Sequence, residues 1–234
     1  MLKLLLLAAA LHAKKAELSA VEAYENVMKA QKTQVSLVCH VVREELKDAA
    51  AGVSGSAGVA SSVTGTLKVA SGGKAWLEMT VPSRQLAVSD GTALYVEMSD
   101  VKQVMKYDAA QLRKSGNFFL DLGSSIRHYA EASLKRLIVP GEGFDESKVL
   151  ALELMPLNAS EAGFERMRVW VDRKDWLVRQ VELKLGGVDT RVKFEEVQVL
   201  SKADLAGGKA GLPASLFKYK APKGYEVFDM TSMQ

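Results

Sequence analysis

Cysteine and histidine are scarce in this chain. Its 234 residues include one cysteine, Cys39, and three histidines. One cysteine excludes a disulfide framework and a multi-thiolate metal site. Only His40 and His128 lie beyond the first 13 residues as candidate imidazoles for a zinc site or a catalytic triad. We therefore expect no metal, no cofactor and no enzymatic activity.

Clustered charge of one sign is also missing. The chain has 31 Lys and Arg against 28 Asp and Glu, for a net charge of +3, and no basic tract. This balance differs from the basic footprint of proteins that bind nucleic acid, so no nucleic-acid partner is expected. Apolar residues make up 48% and charged residues 25%, which is ordinary for a globular protein. Composition favours a binding protein over an enzyme.

No apolar run is long enough to cross a bilayer, which takes about 20 residues. The longest apolar run, residues 4–11, follows Lys3 and precedes Ala13, a pattern typical of a signal peptide. We predict a signal peptide over residues 1–13 and a single soluble domain over residues 14–234. The alternative is an apolar helix start in a cytosolic protein. Cys39 is too far along the chain to carry a lipid anchor.

In the rest of the sequence, apolar and polar residues mostly alternate with a period of two. Helical spacing predicts a first helix over residues 17–31 and a second over residues 124–139, which Pro140 would end. Residues 49–62 are rich in Gly, Ala and Ser and predict a loose connection. Strands are predicted at 35–42 and from residue 63 onward, with a hairpin turn at Asp90-Gly91. After the second helix, strands are predicted over 149–155, 167–171, 177–185, 190–194, 197–200 and 216–219.

Catalytic motifs are hard to find. No Gly-x-Ser-x-Gly sequence is present, and the glycines at 52, 55 and 58 lack the Lys-Ser/Thr ending of a phosphate-binding loop. A lipid hydrolase would have to recruit Ser71, Ser89 or Cys39 with the distant His128. Continuous strand signals without a catalytic cluster indicate a scaffold that binds something apolar.

One ordered set of motifs is more specific. Residues 65–69 (Gly-Thr-Leu-Lys-Val) are followed by 79–82 (Met-Thr-Val-Pro), 88–91 (Val-Ser-Asp-Gly), 94–96 (Leu-Tyr-Val) and 101–104 (Val-Lys-Gln-Val). The tail reads Phe217-x-Tyr219-x-x-Pro222-x-Gly224. This order resembles the outer-membrane lipoprotein carrier family, the LolA-like periplasmic chaperones. The likeness spans most of residues 16–229.

The resemblance implies an α+β fold, mainly antiparallel β: an incomplete curved β-barrel (half-barrel) with an α-helical lid. It implies a periplasmic, monomeric carrier that binds lipoprotein acyl chains in a hydrophobic cavity and moves them from the inner to the outer membrane. Its implied partners are acylated lipoproteins or lipids, an inner-membrane ABC transporter and an outer-membrane receptor. The inward-facing cavity residues would be Leu67, Val69, Ala75, Leu77, Met79, Leu86, Val88, Leu94 and Val96. We expect the lid to include Phe118, Phe119, Ile126, Tyr129, Leu134 and Leu137.

Two positions depart from the family pattern. The Lys-Arg-Pro run, whose Arg latches the lid in many members, is replaced here by Ala70, Ser71 and Gly72. Lys68 or Lys74 could substitute for that latch. Aromatic residues of the next strand are replaced by Ala75 and Leu77, so the cavity is expected to be smoother or wider.

Two other functions remain open. The same half-barrel would suit a sensor that recognises stray lipid or misplaced lipoprotein and signals to a membrane regulator. An exported lipid hydrolase is the alternative from a different class.

Overall fold

The computed structural model describes residues 18–46, 59–114, 122–131, 133–141, 143–158 and 164–231. The predicted signal peptide, most of the predicted loose connection, and Phe118 and Phe119 lie outside the described residues.

The described strands form one large curved sheet that does not close. Their spatial order is β12-β6-β5-β4-β3-β2-β1-β11-β10-β9-β8-β7. Neighbours are antiparallel except β12 and β6, which run parallel. The expected open half-barrel is therefore confirmed. The strands are β1 (Gln34–Leu46), β2 (Val59–Ala70), β3 (Lys74–Val81), β4 (Gln85–Asp90), β5 (Ala93–Met98), β6 (Gln103–Asp108), β7 (Ser133–Ile138), β8 (Val149–Pro156), β9 (Arg166–Asp172), β10 (Val178–Leu185), β11 (Val188–Ser201) and β12 (Glu226–Asp229).

The first predicted helix is present as α1 (Ala20–Thr33). Ser19 caps it, because its hydroxyl accepts from the Glu22 amide while the Glu22 carboxylate accepts from the Ser19 amide. This reciprocal capping box fixes where the helix starts. Ala23, Val27 and Met28 form the buried stripe that packs on the sheet. The described ranges also contain three shorter helices, α2 (Ala109–Lys114), α3 (Leu122–Glu131) and α4 (Lys202–Ala206), and a 3₁₀ helix that covers Ala214–Phe217.

The second predicted helix, residues 124–139, is wrong in its C-terminal half. The helix ends at Glu131, and residues 133–138 form β7, which pairs with β8. Leu134 and Leu137 are three residues apart, which fits a helical stripe, but in the strand they point to opposite faces. Pro140 does not end a helix either; its carbonyl accepts a hydrogen bond from the Trp170 indole at 2.7 Å.

Three other strand predictions are corrected. Residues 190–194 and 197–200 belong to one strand, β11, which bulges at Glu196, a residue with φ of +51°. Residues 216–219 were predicted as a strand, but a 3₁₀ helix ends at Phe217. β2 begins at Val59, inside the predicted loose connection.

The sheet has two faces with different covers. We call the face beneath α1 and α3 the inner face; the largest core cluster lies there, built from both helices and from β1–β3 and β8–β11. A second inner-face cluster joins Ala75 and Leu94 to α2 through Ala109. The opposite, outer face carries ion pairs: Glu44 with Arg191 and Lys193, and the buried Glu153 with Arg136 and Arg168.

Candidate functional site

Seven of the nine predicted cavity residues lie on the inner face. Register places Leu67 opposite Leu77 and Val69 opposite Ala75, and Met79 lies opposite Gly65. On β5, Leu94 and Val96 lie opposite Ser89 and Ala87. At these positions the inner face of β2–β5 is therefore apolar or small.

Leu86 and Val88 are the two exceptions, and their predicted inward orientation is wrong. Leu86 pairs with Glu78 and Val88 pairs with Trp76, so both side chains are on the outer face. The C-terminal 3₁₀ helix contacts β3 and β4 there, and Val88 is buried. The C-terminal segment thus covers this part of the outer face, which explains how Val88 is buried although it points outward.

The predicted lid residues divide into three groups. Ile126 and Tyr129 are buried on α3, and the Tyr129 ring meets Phe164 edge-on at 4.9 Å between centroids. Leu137 packs against the same inner-face core, but from β7. Leu134 lies on the outer face of β7 and is 63% exposed, so it does not belong to a lid.

A cavity of about 180 Å³ opens at one end of the inner face, where α1 passes into β1. Its apolar side includes Leu37, Leu67, Val69, Val178 and Phe194. The polar residues that line it are uncharged: Gln31, Gln34, Ser36 and Ser71. A cavity of about 150 Å³ holds one benzene molecule, so this space admits only a short stretch of an acyl chain while the helices stay in place.

The Ser-Asp-Gly motif holds the rim of this cavity. The buried Ser89 hydroxyl donates to the Gly73 carbonyl at 3.0 Å and accepts from the Gly91 amide at 3.1 Å. Asp90 Oδ1 accepts from the amides of Thr92 and Ala93. The motif thereby ties the β4–β5 turn to the β2–β3 turn, whose residues 71–73 line the cavity.

Lys135 connects the two covering helices to the edge strand. Its Nζ donates to the Ala130 carbonyl of α3 at 2.8 Å and lies 5.1 Å from the centroid of the Tyr24 ring on α1. Lys68 and Lys74 cannot take this position. Lys68 lies over the Trp76 ring and Lys74 pairs with Asp90 in the β3–β4 register, so both are on the outer face.

Two of the candidate nucleophiles, Cys39 and Ser89, are poorly suited to attack a substrate. Burial raises the pKa of the Cys39 thiol to about 12, which keeps it protonated and unreactive at neutral pH. The Ser89 hydroxyl already forms hydrogen bonds with both turns. Among the described residues, no group of His, Cys, Asp and Glu could hold a metal ion.

Comparison with known proteins identifies the class. The family model "Outer membrane lipoprotein carrier protein LolA" matches residues 51–206, more than half of the chain. The chain therefore belongs to the LolA family of lipoprotein carrier proteins. None of the curated protein sequences matches it.

Solved structures resemble the chain at low sequence identity. A conserved protein from Thermus thermophilus shares the fold; it is 14% identical with a TM-score of 0.53, over 90% of this chain and 98% of that one. The lipoprotein LppX of Mycobacterium tuberculosis is 12% identical with a TM-score of 0.49, over 76% and 94%. A LolA superfamily protein from Nitrosomonas europaea is 12% identical with a TM-score of 0.41, over 87% and 99%. None of the helices in the described ranges has the length and apolar character needed to span a membrane.

Sequence reasoning missed two residues of this site. Lys135 lies within the second predicted helix, which gave no reason to place it in the site, whereas its strand position turns it toward α1 and α3. Gln34 lies at the junction of α1 and β1, where neither period applies, and only the folded chain brings it beside Ser71 and Phe194.

Proposed function

We propose that this protein is a periplasmic carrier that holds lipoprotein acyl chains against the inner face of its sheet and passes them between membranes. The observation that supports this most is the construction of the inner face. It is a broad apolar surface covered by short helices, with a small cavity open at its rim. Membership of the carrier family points the same way.

Loading requires α1 and α3 to move. The cavity of about 180 Å³ is too small for a whole chain, and removing each methylene from water stabilises by about 0.8 kcal/mol. Cargo that displaces the helices gains this burial but loses part of the contacts made by Val27, Met28 and Ile126. This competition lowers net affinity, so delivery to a tighter receptor is downhill.

Membership of the carrier family suggests how the protein is exported, loaded and unloaded. Residues 1–13 would direct export and be removed, leaving a monomeric periplasmic protein. An inner-membrane ABC transporter would load it and an outer-membrane receptor would unload it. Lys135 takes the latching role that the family assigns to an arginine, because it holds both covering helices.

Release of lipoprotein from spheroplasts tests the proposal. Purified protein is added to Gram-negative spheroplasts depleted of their own carrier, and pulse-labelled outer-membrane lipoprotein is followed into the supernatant. We expect a soluble complex with this protein. Val69→Gln, on the inner face at the cavity, should abolish release, whereas Val38→Gln, a half-buried valine on the outer face of the adjacent strand, should not.

Two results would reject carriage. Lipoprotein that stays on the membrane although the protein binds acyl probes would favour the sensor. Release of free fatty acid would favour the hydrolase.

A further inference from the structure

Exposed apolar side chains are concentrated at one end of the sheet. In the described part of the chain, twelve large apolar residues are exposed, and eight of them lie at the end where β1–β2, β3–β4, β5–β6, β8–β9 and β10–β11 connect. We call these eight residues the apolar rim. Six occupy the first or last two positions of a strand: Val59, Val81, Leu134, Met155, Leu185 and Val188. The other two, Val101 and Leu157, follow β5 and β8. Single exposed apolar residues are ordinary on a protein surface, but such a concentration indicates an interaction site.

The rim lies at the end of the sheet opposite the cavity. Leu185 pairs with Val188 across the β10–β11 turn, at the end of β11 that is distant from α1. The cavity lies where α1 passes into β1 and where the β2–β3 turn is found. Of the exposed large apolar residues in the described ranges, only Val139 and Leu205 follow strands at that end. The rim is therefore a surface separate from the cavity.

The charges beside the rim balance one another. Arginine and lysine side chains there form ion pairs with carboxylates. These pairs are Arg43–Glu45, Arg84–Glu78, Arg166–Asp189 and Lys184–Glu165. Asp100 and Lys102, which flank Val101 in the β5–β6 turn, have opposite charges. Because these charges cancel, a zwitterionic surface fits this end of the protein better than a strongly acidic or basic one.

The spacing of the rim residues favours a lipid bilayer over a folded protein. The residues are distributed over separate turns and strand ends along a curved sheet, and charged pairs lie between them. A protein interface has a contiguous, closely packed core, which separated side chains on a curved edge do not provide. Lipids rearrange around each inserted side chain, and the binding strength scales with the apolar area that is buried.

We propose that the apolar rim docks this protein on a zwitterionic phospholipid bilayer, with the ends of β10 and β11 inserted among the lipids. The docking goes beyond the proposed function, because it assigns a membrane contact to a surface that does not include the cargo cavity. In this orientation the cavity end of the sheet is directed away from the lipid.

Vesicle sedimentation tests the docking. The full chain is mixed with vesicles of phosphatidylethanolamine and phosphatidylcholine, and the bound fraction is measured as lipid is added. The test variant combines Leu185→Ser with Val188→Ser, two residues that are about half exposed. Loss of two inserted apolar side chains should weaken partitioning into the vesicles at least about tenfold. Added phosphatidylglycerol or NaCl should change wild-type partitioning by less than about twofold, because the charges at the rim balance.

A matched control changes exposed apolar residues at the opposite end of the sheet. Val139→Ser combined with Leu205→Ser should leave partitioning within about twofold of the wild type. All three proteins share residues 1–13, so a difference between them cannot come from that apolar segment. If the test variant fails to fold, Leu157→Ser is compared with Val139→Ser, and a loss of about fivefold is expected for Leu157→Ser alone.

Three results would overturn the inference. The first is a wild-type protein that stays in the supernatant, or test and control variants that partition equally. The second is binding that needs phosphatidylglycerol and is lost in NaCl, since that binding would be electrostatic. The third is a dimer without vesicle binding that the test variant dissociates, because a second copy would then cover the rim. None of these results counts against acyl-chain carriage, which the spheroplast assay measures separately.

Discussion

The ammonium group of Lys135 lies 5.1 Å from the centroid of the Tyr24 ring and thereby joins the edge strand β7 to α1. The same Nζ donates to the last turn of α3 through the Ala130 carbonyl. One side chain thus holds both helices that cover the inner face. A cation over an aromatic ring contributes about 0.5–1 kcal/mol at exposed sites, and a cation also favours the C-terminal end of a helix.

Lys135→Met should therefore raise the population of molecules in which the helices are displaced. The buried Cys39, with its thiol pKa raised to about 12, reports this opening because it belongs to the same inner-face core as α1. A loss of about 1 kcal/mol of closure should speed labelling of Cys39 by a thiol reagent about fivefold. Lys68→Met is the matched control, since Lys68 lies 4.6 Å from the Trp76 centroid on the outer face. Equal labelling rates in the two variants would show that Lys135 does not hold the helices in place.

The two rim turns allow a second prediction from a pair of glycines. A Cβ on Gly91 would lie 2.2 Å from the Gly72 carbonyl oxygen, and φ is +98°. Gly72 has φ of +84° but nothing within 4 Å of its Cβ position. Gly72→Ala should lower the unfolding free energy by about 1–2 kcal/mol, because alanine is strained in the left-handed conformation. Gly91→Ala should lower it by about 1–3 kcal/mol more, because its Cβ would also overlap the Gly72 carbonyl oxygen. Urea denaturation measures both, and equal losses would mean that the turns do not touch as described.

The C-terminal segment supplies a third prediction. The Tyr219 hydroxyl donates to Glu97 at 2.8 Å and its ring stacks on Tyr95. Burial, and then the hydrogen bond to the Glu97 carboxylate, raises the pKa of Tyr219. Its contribution to stability is therefore complete below the ordinary pKa of about 10 and is lost as the pH rises toward the folded-state pKa. Tyr219→Phe should cost about 1 kcal/mol at pH 7.

Denaturation of the wild type and of Tyr219→Phe between about pH 7 and 11 checks the direction of this pH dependence. The difference in unfolding free energy between wild type and Tyr219→Phe should shrink above the ordinary tyrosine pKa of about 10. A difference that grows with pH would show that the phenol is not a donor to Glu97.

The sequence predicted most of the sheet because local alternation and the Ser-Asp-Gly turn do not depend on distant contacts. It misassigned residues 133–138, because Leu134 and Leu137 fit both a helical stripe and a strand. That ambiguity is resolved only by pairing with β8. β12 was missed because its four residues join the sheet through the distant β6.

The candidate site was less predictable than the fold. Strand parity correctly grouped Leu67, Leu77 and Met79 on the inner face. It could not reveal that Val88 is buried on the outer face, since the cover there comes from the C-terminal segment. The unpaired side-chain amide of Gln34 results from three-dimensional packing, and no sequence pattern predicts it.

Methyl-detected NMR with a nitroxide at the chain end of a monoacylglycerol tests the central claim most directly. Bound probe should broaden the inner-face methyl signals of Leu67, Leu77 and Val192 more strongly than those of Leu86 and Val88 on the outer face. Broadening confined to the outer face, or absent from both faces at saturating probe, would contradict acyl-chain binding beneath the helices.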